Sequence, residues 1–288
     1  MGQPIFRTYD REALDREYDN RAKVADSPRY LAWYASESAA ARAALPGRLD
    51  VPYGPSPPET LDVFPAAGAE PAPVQVFIHG GYWRALDKSD FSFVARAFHL
   101  DAVVVVINYG LIPAVDMDEL VRQCRQALAW VYRNARMFGG DPARIFVSGH
   151  SAGGHLVAMS MATDWRAFAG LPADLVKGGA AVSGLYDLEP IRLCYLNETL
   201  TLGPAEARRN SPVELAPVRS GPLLLAVGGL EGPEYHRQTE ELARAWRARG
   251  VACTVMEMPG LDHFSIVAQL NERASKLSRT IRAQMGLV

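Results

Sequence analysis

The chain has 288 residues, of which 49% are apolar and 22% are charged, as in a globular protein with a sizeable core. Its 30 basic and 32 acidic residues nearly balance and form no basic block, which argues against nucleic-acid or membrane-surface binding. Three cysteines without a C-x-x-C pair indicate free thiols, and the polar start of the sequence lacks the apolar core of a signal peptide. The longest apolar run, near 102–107, is too short to cross a bilayer, so we expect a cytoplasmic protein.

The first part of the chain has a helical pattern. Residues 10–45 are amphipathic, and Ser27 with Pro28 marks the start of a second helix. This pattern ends near Pro46, so residues 1–47 are predicted to form an N-terminal helical extension. The next stretch, LDVPYGPSPPETLDVFPA, has two short strand patterns around a proline-rich turn, which predicts an antiparallel edge hairpin.

From residue 74 onward, strand patterns alternate with helix patterns. The predicted strands are 74–80, 103–108, 144–149, 177–184, 222–229 and 252–258. The predicted helices are 88–98, 116–138, the segment SAGGHLVAMSMA, 235–249 and 265–284. This alternation predicts an α/β fold, a mostly parallel central sheet flanked by helices, in one domain over 1–288. Residues 185–220 are predicted to form a small insertion over the sheet edge that can act as a lid.

A glycine-flanked serine follows one of these strands. The sequence GHSAG has the pattern G-x-S-x-G, lies between a buried strand and a helix, and places Ser151 at its centre. In this setting a serine projects from a sharp turn at the carboxyl end of a strand, where open α/β sheets bind ligands. Gly149 and Gly153 let the strand and the helix approach closely. The pattern predicts Ser151 as a nucleophile; the alternative is a glycine-rich turn with an incidental serine.

A second glycine motif, HGGYW, begins at His79 directly after an earlier strand. A Gly-Gly pair can turn backbone amides toward a carbonyl oxygen that gains negative charge, and we expect Gly81 and Ala152 as donors, with Tyr82 as a further candidate. His79 is expected to brace this loop rather than to take part in chemistry. Tyr82 and Trp83 are predicted to line a substrate pocket; the alternative is that both are ordinary core aromatics.

A serine hydroxyl needs a base to take its proton. Of the six histidines, His263 lies in PGLDHFSIV, between the final predicted strand and the final predicted helix. The order Ser, acid, His of the α/β hydrolases requires a histidine at this place, so we predict His263 as the general base. The alternative is a histidine of an ordinary surface loop.

The acidic partner of the base is expected after strand 222–228. Glu231 follows that strand directly and is the preferred residue, with Glu234 as the runner-up. Glu234 could instead cap the following helix, because the helix dipole favours an acidic residue in the first turn. Asp187, which follows an earlier strand, and Asp262, which is adjacent to the base and poorly placed to face its ring, also remain open.

With these residues in place, the chain resembles the serine-dependent arylformamidase (kynurenine formamidase) branch of the α/β hydrolases. The resemblance spans most of the chain and is carried by YDREALDREYDNR, VPYGPSPPETLDVF, HGGYW, GDPARIFVSGHSAGGHL, SGLYDLEP, VGGLEGPEYHRQ and LDHFSIV. HGGYW is the most discriminating piece, because esterases of the wider hormone-sensitive-lipase-like group usually carry a third glycine where Tyr82 stands.

The resemblance also implies roles for single residues. It implies Ser151 as nucleophile, His263 as base, and Gly80, Gly81 and Ala152 around the oxyanion. The family commonly has Asp where Glu231 stands, which keeps the choice of acid open.

The resemblance implies a serine hydrolase that cleaves a small acyl amide or ester, with a substrate of the N-formylkynurenine type. No metal-ligand pattern is present, and we expect no cofactor and no partner other than a small-molecule substrate, with a homodimer left open. One alternative is a general small-acyl carboxylesterase. Another is a non-catalytic ligand-binding protein on the same scaffold, which would be expected to lack the nucleophile, the base or the oxyanion glycines.

Overall fold

The structure is a computed structural model, and it describes residues 2–68, 70–217 and 221–287. Within these residues, one sheet has the strand order β1-β2-β4-β3-β5-β6-β7-β8. The strands are β1 (Arg48–Pro52), β2 (Thr60–Phe64), β3 (Ala72–Ile78), β4 (Val103–Ile107), β5 (Gly140–His150), β6 (Val176–Val182), β7 (Leu223–Gly228) and β8 (Cys253–Met258).

The sheet is antiparallel at one edge and parallel elsewhere. β1 pairs antiparallel with β2, and β2 pairs antiparallel with β4, whereas every pairing from β4 through β8 is parallel. The predicted edge hairpin and the predicted mostly parallel sheet are therefore confirmed. All five residues of β4, the run Val103–Ile107, are buried, as expected where helices cover both faces of a parallel sheet.

Helices flank this sheet along its length. The α-helices are α1 (Arg11–Tyr18), α2 (Asn20–Lys23), α3 (Ser27–Ala44), α4 (Ala95–Phe98), α5 (Met117–Asn134), α6 (Ala152–Met161), α7 (Trp165–Ala169), α8 (Glu189–Leu193), α9 (Asn197–Leu200), α10 (Pro204–Arg209), α11 (Pro233–Arg247), α12 (Ser265–Ala268) and α13 (Lys276–Gln284). Short 3-10 helices span Lys88–Asp90, Ser92–Val94, Ala135–Phe138, Pro212–Glu214 and Gln269–Asn271.

Two predicted helices are interrupted. The stretch 88–98 forms two 3-10 turns before α4, because Asp87 and Asp90 cap the first turn reciprocally. The stretch 265–284 forms α12, a 3-10 turn and α13, because the Ser275 side chain accepts the Ser278 amide and begins a new helix. The prediction of one continuous helix was wrong at both places.

The two segments outside the alternating pattern are helical. The predicted N-terminal extension contains α1 to α3, with Pro28 in the first turn of α3 as expected. The predicted insertion contains α8 to α10 and a 3-10 turn, while its residues 218–220 lie outside the described part of the chain. That 1–288 forms one domain, and that 185–220 acts as a lid, stay predictions.

Apolar side chains cover both faces of the sheet. Leu128 of α5, Leu156 of α6 and Trp246 of α11 are buried in a cluster on one face. Tyr34 of α3 and Ile281 of α13 belong to the cluster on the other face. Each such side chain contributes about 1.5–3 kcal/mol when fully buried, so the helices hold the sheet, and the loops at its carboxyl edge, in a fixed arrangement. In the described residues, no helix has both the length and the apolar character needed to cross a membrane.

Candidate active site

Ser151 lies in a tight turn between β5 and α6. Its φ of 58° and ψ of −120° are unusual for a residue with a side chain, and its amide donates to the Val182 carbonyl at 2.8 Å. A Cβ on Gly153 would lie 2.0 Å from the Ile78 carbonyl oxygen, so this position tolerates only glycine. The close contact between α6 and the end of β3 places the Ser151 hydroxyl at the carboxyl edge of the sheet.

His263 connects this hydroxyl to a carboxylate. Its Nε2 lies 3.0 Å from Ser151 Oγ, and its Nδ1 lies 2.7 Å from Glu231 Oε2. The His263 and Glu231 side chains are only 7% and 1% exposed. These distances are the ones that a nucleophile, a base and an orienting acid require.

The Glu231 carboxylate is fixed by two further donors. Its Oε1 accepts the Gly228 amide at 2.7 Å and the Ser183 hydroxyl. With Oε1 held from two directions, Oε2 faces the imidazole. The sequence patterns did not predict a role for Ser183. The available signal was its position directly after β6, because β6 pairs with β7 and the two strands end close together.

The other acids considered from the sequence do not face the imidazole. Glu234 and Asp187 both pair with Arg237, at 2.7 and 3.3 Å. Asp262 accepts two backbone amides of the turn that follows it, each at 2.8 Å. Among these candidates the geometry therefore favours Glu231 as the partner of His263.

The loop of the predicted oxyanion donors passes beside the nucleophile turn. A Cβ on Gly80 would lie 3.1 Å from Ser151 Cβ, and Gly81 has a φ of 110° that places its amide in an orientation rarely open to other residues. In the described part of the chain, the amides of Gly81 and Ala152 donate to no protein group. Ala152 is the first residue of α6, so its amide has no acceptor within the helix. Both amides can therefore bind an external oxygen.

His79 braces this loop, as predicted. One ring nitrogen lies 2.8 Å from the Gly80 carbonyl oxygen, and the other lies 3.0 Å from Asn108 Oδ1. The ring stacks on Tyr109 with centroids 4.2 Å apart. Burial lowers the pKa of His79, which favours the neutral ring, and that ring can donate to one of the two oxygens at a time.

Tyr82 follows the glycine pair and lines the cavity described below. Its hydroxyl donates to the Tyr18 carbonyl at 2.7 Å and lies 2.8 Å from the Tyr235 hydroxyl. The Asn20 side-chain amide donates to both phenol oxygens, at 3.0 Å for Tyr82 and 2.6 Å for Tyr235. Tyr82 thus connects the predicted oxyanion loop to the N-terminal helices and to α11.

Trp83 is placed differently from the prediction. It is fully buried and does not line the cavity, because its φ of 57° and its packing direct the indole into the core. There the indole nitrogen donates to Nδ1 of His155 at 3.1 Å, and Nε2 of His155 donates to the Asn210 carbonyl at 2.7 Å. Burial lowers the pKa of His155 to about 4, so the ring is neutral at pH 7. Trp83 therefore supports the loop from behind and is corrected from a substrate contact to a core residue.

His150 is a residue of the site that sequence reasoning passed over. Its ring centroid lies 4.7 Å from that of His263, and its Nε2 lies 2.8 Å from the His263 carbonyl oxygen. Burial, together with the neighbouring imidazole, lowers the pKa of His150 well below its usual value. The neutral ring therefore positions the backbone of His263 without adding charge beside it. Its place inside the G-x-S-x-G pattern was the available signal.

A cavity of about 270 Å³ opens beside Ser151 and His263. Its described lining combines residues from four parts of the chain: the N-terminal helices, the predicted oxyanion loop and its continuation, the turns that contain Ser151 and His263, and the 185–220 segment. These are Asp19, Asn20, Arg21, Leu31, Tyr34, Gly81, Tyr82, Arg84, Ala85, Leu86, Phe91, His150, Ser151, Tyr195, His263 and Phe264. The volume suits a small organic molecule.

No group of three or more His, Cys, Asp or Glu side chains is arranged to hold a metal ion within the residues that the structure describes.

Known proteins are similar to this chain in sequence and in fold. The family model BD-FAE matches residues 61–171. Kynurenine formamidase from Salmo salar is 35% identical over 246 residues, covering 83% of this chain and 82% of that protein. Kynurenine formamidase from Danio rerio is also 35% identical, over 85% of this chain and 84% of that protein. The crystal structure of a candidate thioesterase from Silicibacter sp. TM1040 matches with a TM-score of 0.81 and 29% identity, covering 93% of this chain and 98% of that one. The chain is therefore a hydrolase with the α/β-hydrolase fold and belongs to the kynurenine formamidase family.

Proposed function

We propose that this protein is an arylformamidase, which hydrolyses the formamide of a substrate of the N-formylkynurenine type. The observation that carries the proposal is the hydrogen-bonded series Ser151, His263 and Glu231 at the wall of a cavity with aromatic sides. Tyr34 and Phe91 contribute to those sides and suit an aryl group. The relationship to kynurenine formamidases supports the same substrate class.

The first chemical step forms a formyl-enzyme. His263 Nε2 takes the proton of Ser151 as the serine oxygen attacks the formamide carbon. The carbonyl oxygen becomes negative and accepts hydrogen bonds from the Gly81 and Ala152 amides, with Gly80 giving the loop its close approach. The C–N bond then breaks, and the leaving aryl amine takes the proton from His263. Glu231 keeps the imidazole oriented and stabilises its protonated form throughout.

The second step releases formate. A water molecule gives a proton to His263 and attacks the formyl carbon, and the Ser151 oxygen leaves with that proton. Tyr82 is proposed to contact substrate through the part of its side chain that lines the cavity, while its hydroxyl remains engaged with Tyr18 and Tyr235.

Steady-state kinetics on N-formylkynurenine and p-nitrophenyl acetate test this proposal, with Ser151→Ala as the blank. A kcat/KM for the formamide of about 10⁴ M⁻¹s⁻¹ or more, and above that for the ester, is expected. Ester turnover with a negligible formamide rate would identify a small-acyl carboxylesterase instead. If neither substrate is turned over and Ser151 resists a fluorophosphonate, a non-catalytic binding protein is the conclusion.

We propose a cytoplasmic location and a small molecule as the only ligand class, with neither nucleic acid nor membrane as partner. The three cysteines are free thiols in the structure, which supports a reducing compartment. The near balance of charges gives no surface bias toward polyanions.

A further inference from the structure

Two guanidinium groups belong to the wall of the catalytic cavity. Arg84 follows the oxyanion loop, and Arg21 belongs to the N-terminal helices, yet both line the same cavity as Ser151. A guanidinium stays charged at every physiological pH and offers five N–H donors. The mechanism proposed above uses neither group, so both are available for another task.

Arg84 is held in place by neutral partners. One guanidinium nitrogen donates to Thr199 Oγ1 at 2.9 Å, and the guanidinium carbon lies 5.8 Å from the centre of the Tyr195 ring. No carboxylate of the described residues pairs with it. Arg237 illustrates the contrast, since it is shared among three carboxylates of the protein itself. Arg84 is therefore positioned but not neutralised, and most of its donors remain unused.

The rest of the cavity wall adds little negative charge. The Arg21 side chain is exposed and makes no hydrogen bond or ion pair with another described residue. Asp19 is the single carboxylate among the described lining residues, and its carboxylate accepts the Ala22 amide at 3.0 Å. Two positive groups thus face a cavity with one negative group, which favours an anionic ligand.

We propose that Arg84 binds a carboxylate of the substrate, so that the enzyme selects aryl formamides that carry an anionic group. This inference rests on the proposed arylformamidase function and assigns its charge selectivity to one residue. The planar guanidinium of Arg84 can bind a carboxylate through two parallel hydrogen bonds. Its contacts with Thr199 and Tyr195 fix its orientation before the substrate binds. Arg21, which is exposed, adds a weaker attraction that salt screens.

The test compares N-formylkynurenine with its carboxamide, which keeps the aryl formamide and loses the negative charge. The readout is the ratio of kcat/KM for the acid to kcat/KM for the carboxamide, measured in the wild type, Arg84→Gln and Arg84→Lys. We expect Arg84→Gln to lower this ratio about tenfold or more, chiefly through KM for the acid. Arg84→Lys should restore part of it, because a point charge replaces the fork.

Arg133→Gln is the matched control, because Arg133 is exposed and its guanidinium donates to the Ala169 carbonyl, away from the cavity lining. Its ratio should equal that of the wild type. Arg21→Gln should lower the ratio about two- to threefold at low salt and less at high salt. Equal losses of Arg84→Gln on both substrates would overturn the proposal, because they would indicate a purely structural role. An unchanged ratio would overturn it as well.

Failure of the proposed function is a separate outcome. If the wild type hydrolyses neither formamide but does hydrolyse p-nitrophenyl esters, the arylformamidase proposal fails. The anion contact is then decided with p-nitrophenyl hemisuccinate and p-nitrophenyl butyrate in the same variants. A preference for the hemisuccinate that Arg84→Gln removes would support the role of Arg84, and no such preference would end it.

Discussion

Two regions of the molecule meet at the cavity and are built in different ways. The proposed catalytic edge, meaning Ser151, Glu231 and His263, lies in the loops that follow β5, β7 and β8, and contacts from these loops and from the end of β6 fix its residues. The cavity wall, meaning Asn20, Tyr34, Arg84 and Tyr195, comes from segments far apart in the chain. Its cohesion depends on contacts such as the 2.6 Å hydrogen bond from the Tyr195 amide to Asp15. The proposed chemistry thus depends on the turns at the carboxyl ends of the strands, whereas the proposed substrate selection depends on how distant helices pack.

The largest expected effect falls on the catalytic edge. Ser151→Ala should lower kcat by about 10⁵-fold or more, because the variant lacks the oxygen that is proposed to form the formyl-enzyme. The same variant should lose labelling by a fluorophosphonate while its thermal unfolding shows that it is folded. A variant that keeps a near-normal rate would contradict the assignment of Ser151.

The acid is the second test of the catalytic edge. Glu231→Gln should lower kcat by about 10³- to 10⁴-fold, because a neutral amide cannot stabilise the imidazolium of His263. Glu234→Gln is its matched control, since Glu234 pairs with Arg237 and accepts the Tyr18 hydroxyl. That control should affect the denaturation midpoint far more than kcat. If the two variants exchanged these effects, Glu234 would be the acid.

The junction between the two regions should respond to acid. His155 contacts Trp83 of the oxyanion loop and Asn210 of the 185–220 segment through the two nitrogens of a neutral ring. Burial holds its pKa at about 4 in the folded state, below the usual 6.5. Its contribution to stability is therefore complete above pH 6.5 and is lost as the pH falls toward 4, because only the unfolded chain takes up the proton in that window.

The expected loss follows from those two pKa values. Each pH unit between them corresponds to about 1.4 kcal/mol, so the free energy of unfolding should fall by up to about 3 kcal/mol on this account. Urea unfolding of the wild type and His155→Gln between about pH 7.5 and 4.5 measures it. The slope of stability against pH should be shallower in the variant. Equal slopes would show that His155 is protonated alike in the folded and unfolded states.

The smallest expected effect concerns the contact between the N-terminal helices and the oxyanion loop. Asn20→Ala removes two hydrogen bonds to Tyr82 and Tyr235, each worth about 0.5–1.5 kcal/mol of stability. We expect only part of this free energy to be lost from the transition state, so kcat should fall about three- to tenfold. Asn134→Ala is the control, because that side chain bonds the Trp130 carbonyl at 2.8 Å, outside the cavity lining. A thousandfold loss in Asn20→Ala would instead place the N-terminal helices within the catalytic machinery itself.

The division between the regions also explains what the sequence could predict. The strands, the turn of Ser151 and the position of His263 follow from patterns within a few residues, and the structure brings Ser151, His263 and Glu231 into hydrogen-bonding contact. Trp83 was misplaced because the direction of its side chain depends on a backbone with positive φ, which the letters HGGYW do not reveal.

Most of the residues missed at the cavity wall had no comparable local signal. Asn20 and Tyr195 reach the cavity because α1 to α3 and the 185–220 segment pack over the sheet edge, whereas Arg84 directly follows HGGYW and its place there was the available signal. The interrupted helix at 265–284 is an intermediate case. Ser275 is a capping residue, but the apolar pattern continues across it and by itself predicts one helix.

The backbone of Ser151 has a thermodynamic consequence. A residue with a Cβ held in such a conformation costs about 1–3 kcal/mol, and the packing of β5 against α6 sustains that cost. Ser151→Gly should therefore raise the melting temperature while it removes the nucleophile. A chain with serine at position 151 is therefore less stable than the same chain with glycine there, although the proposed reaction depends on the serine. A selection for thermostability alone would favour the glycine and would inactivate the protein.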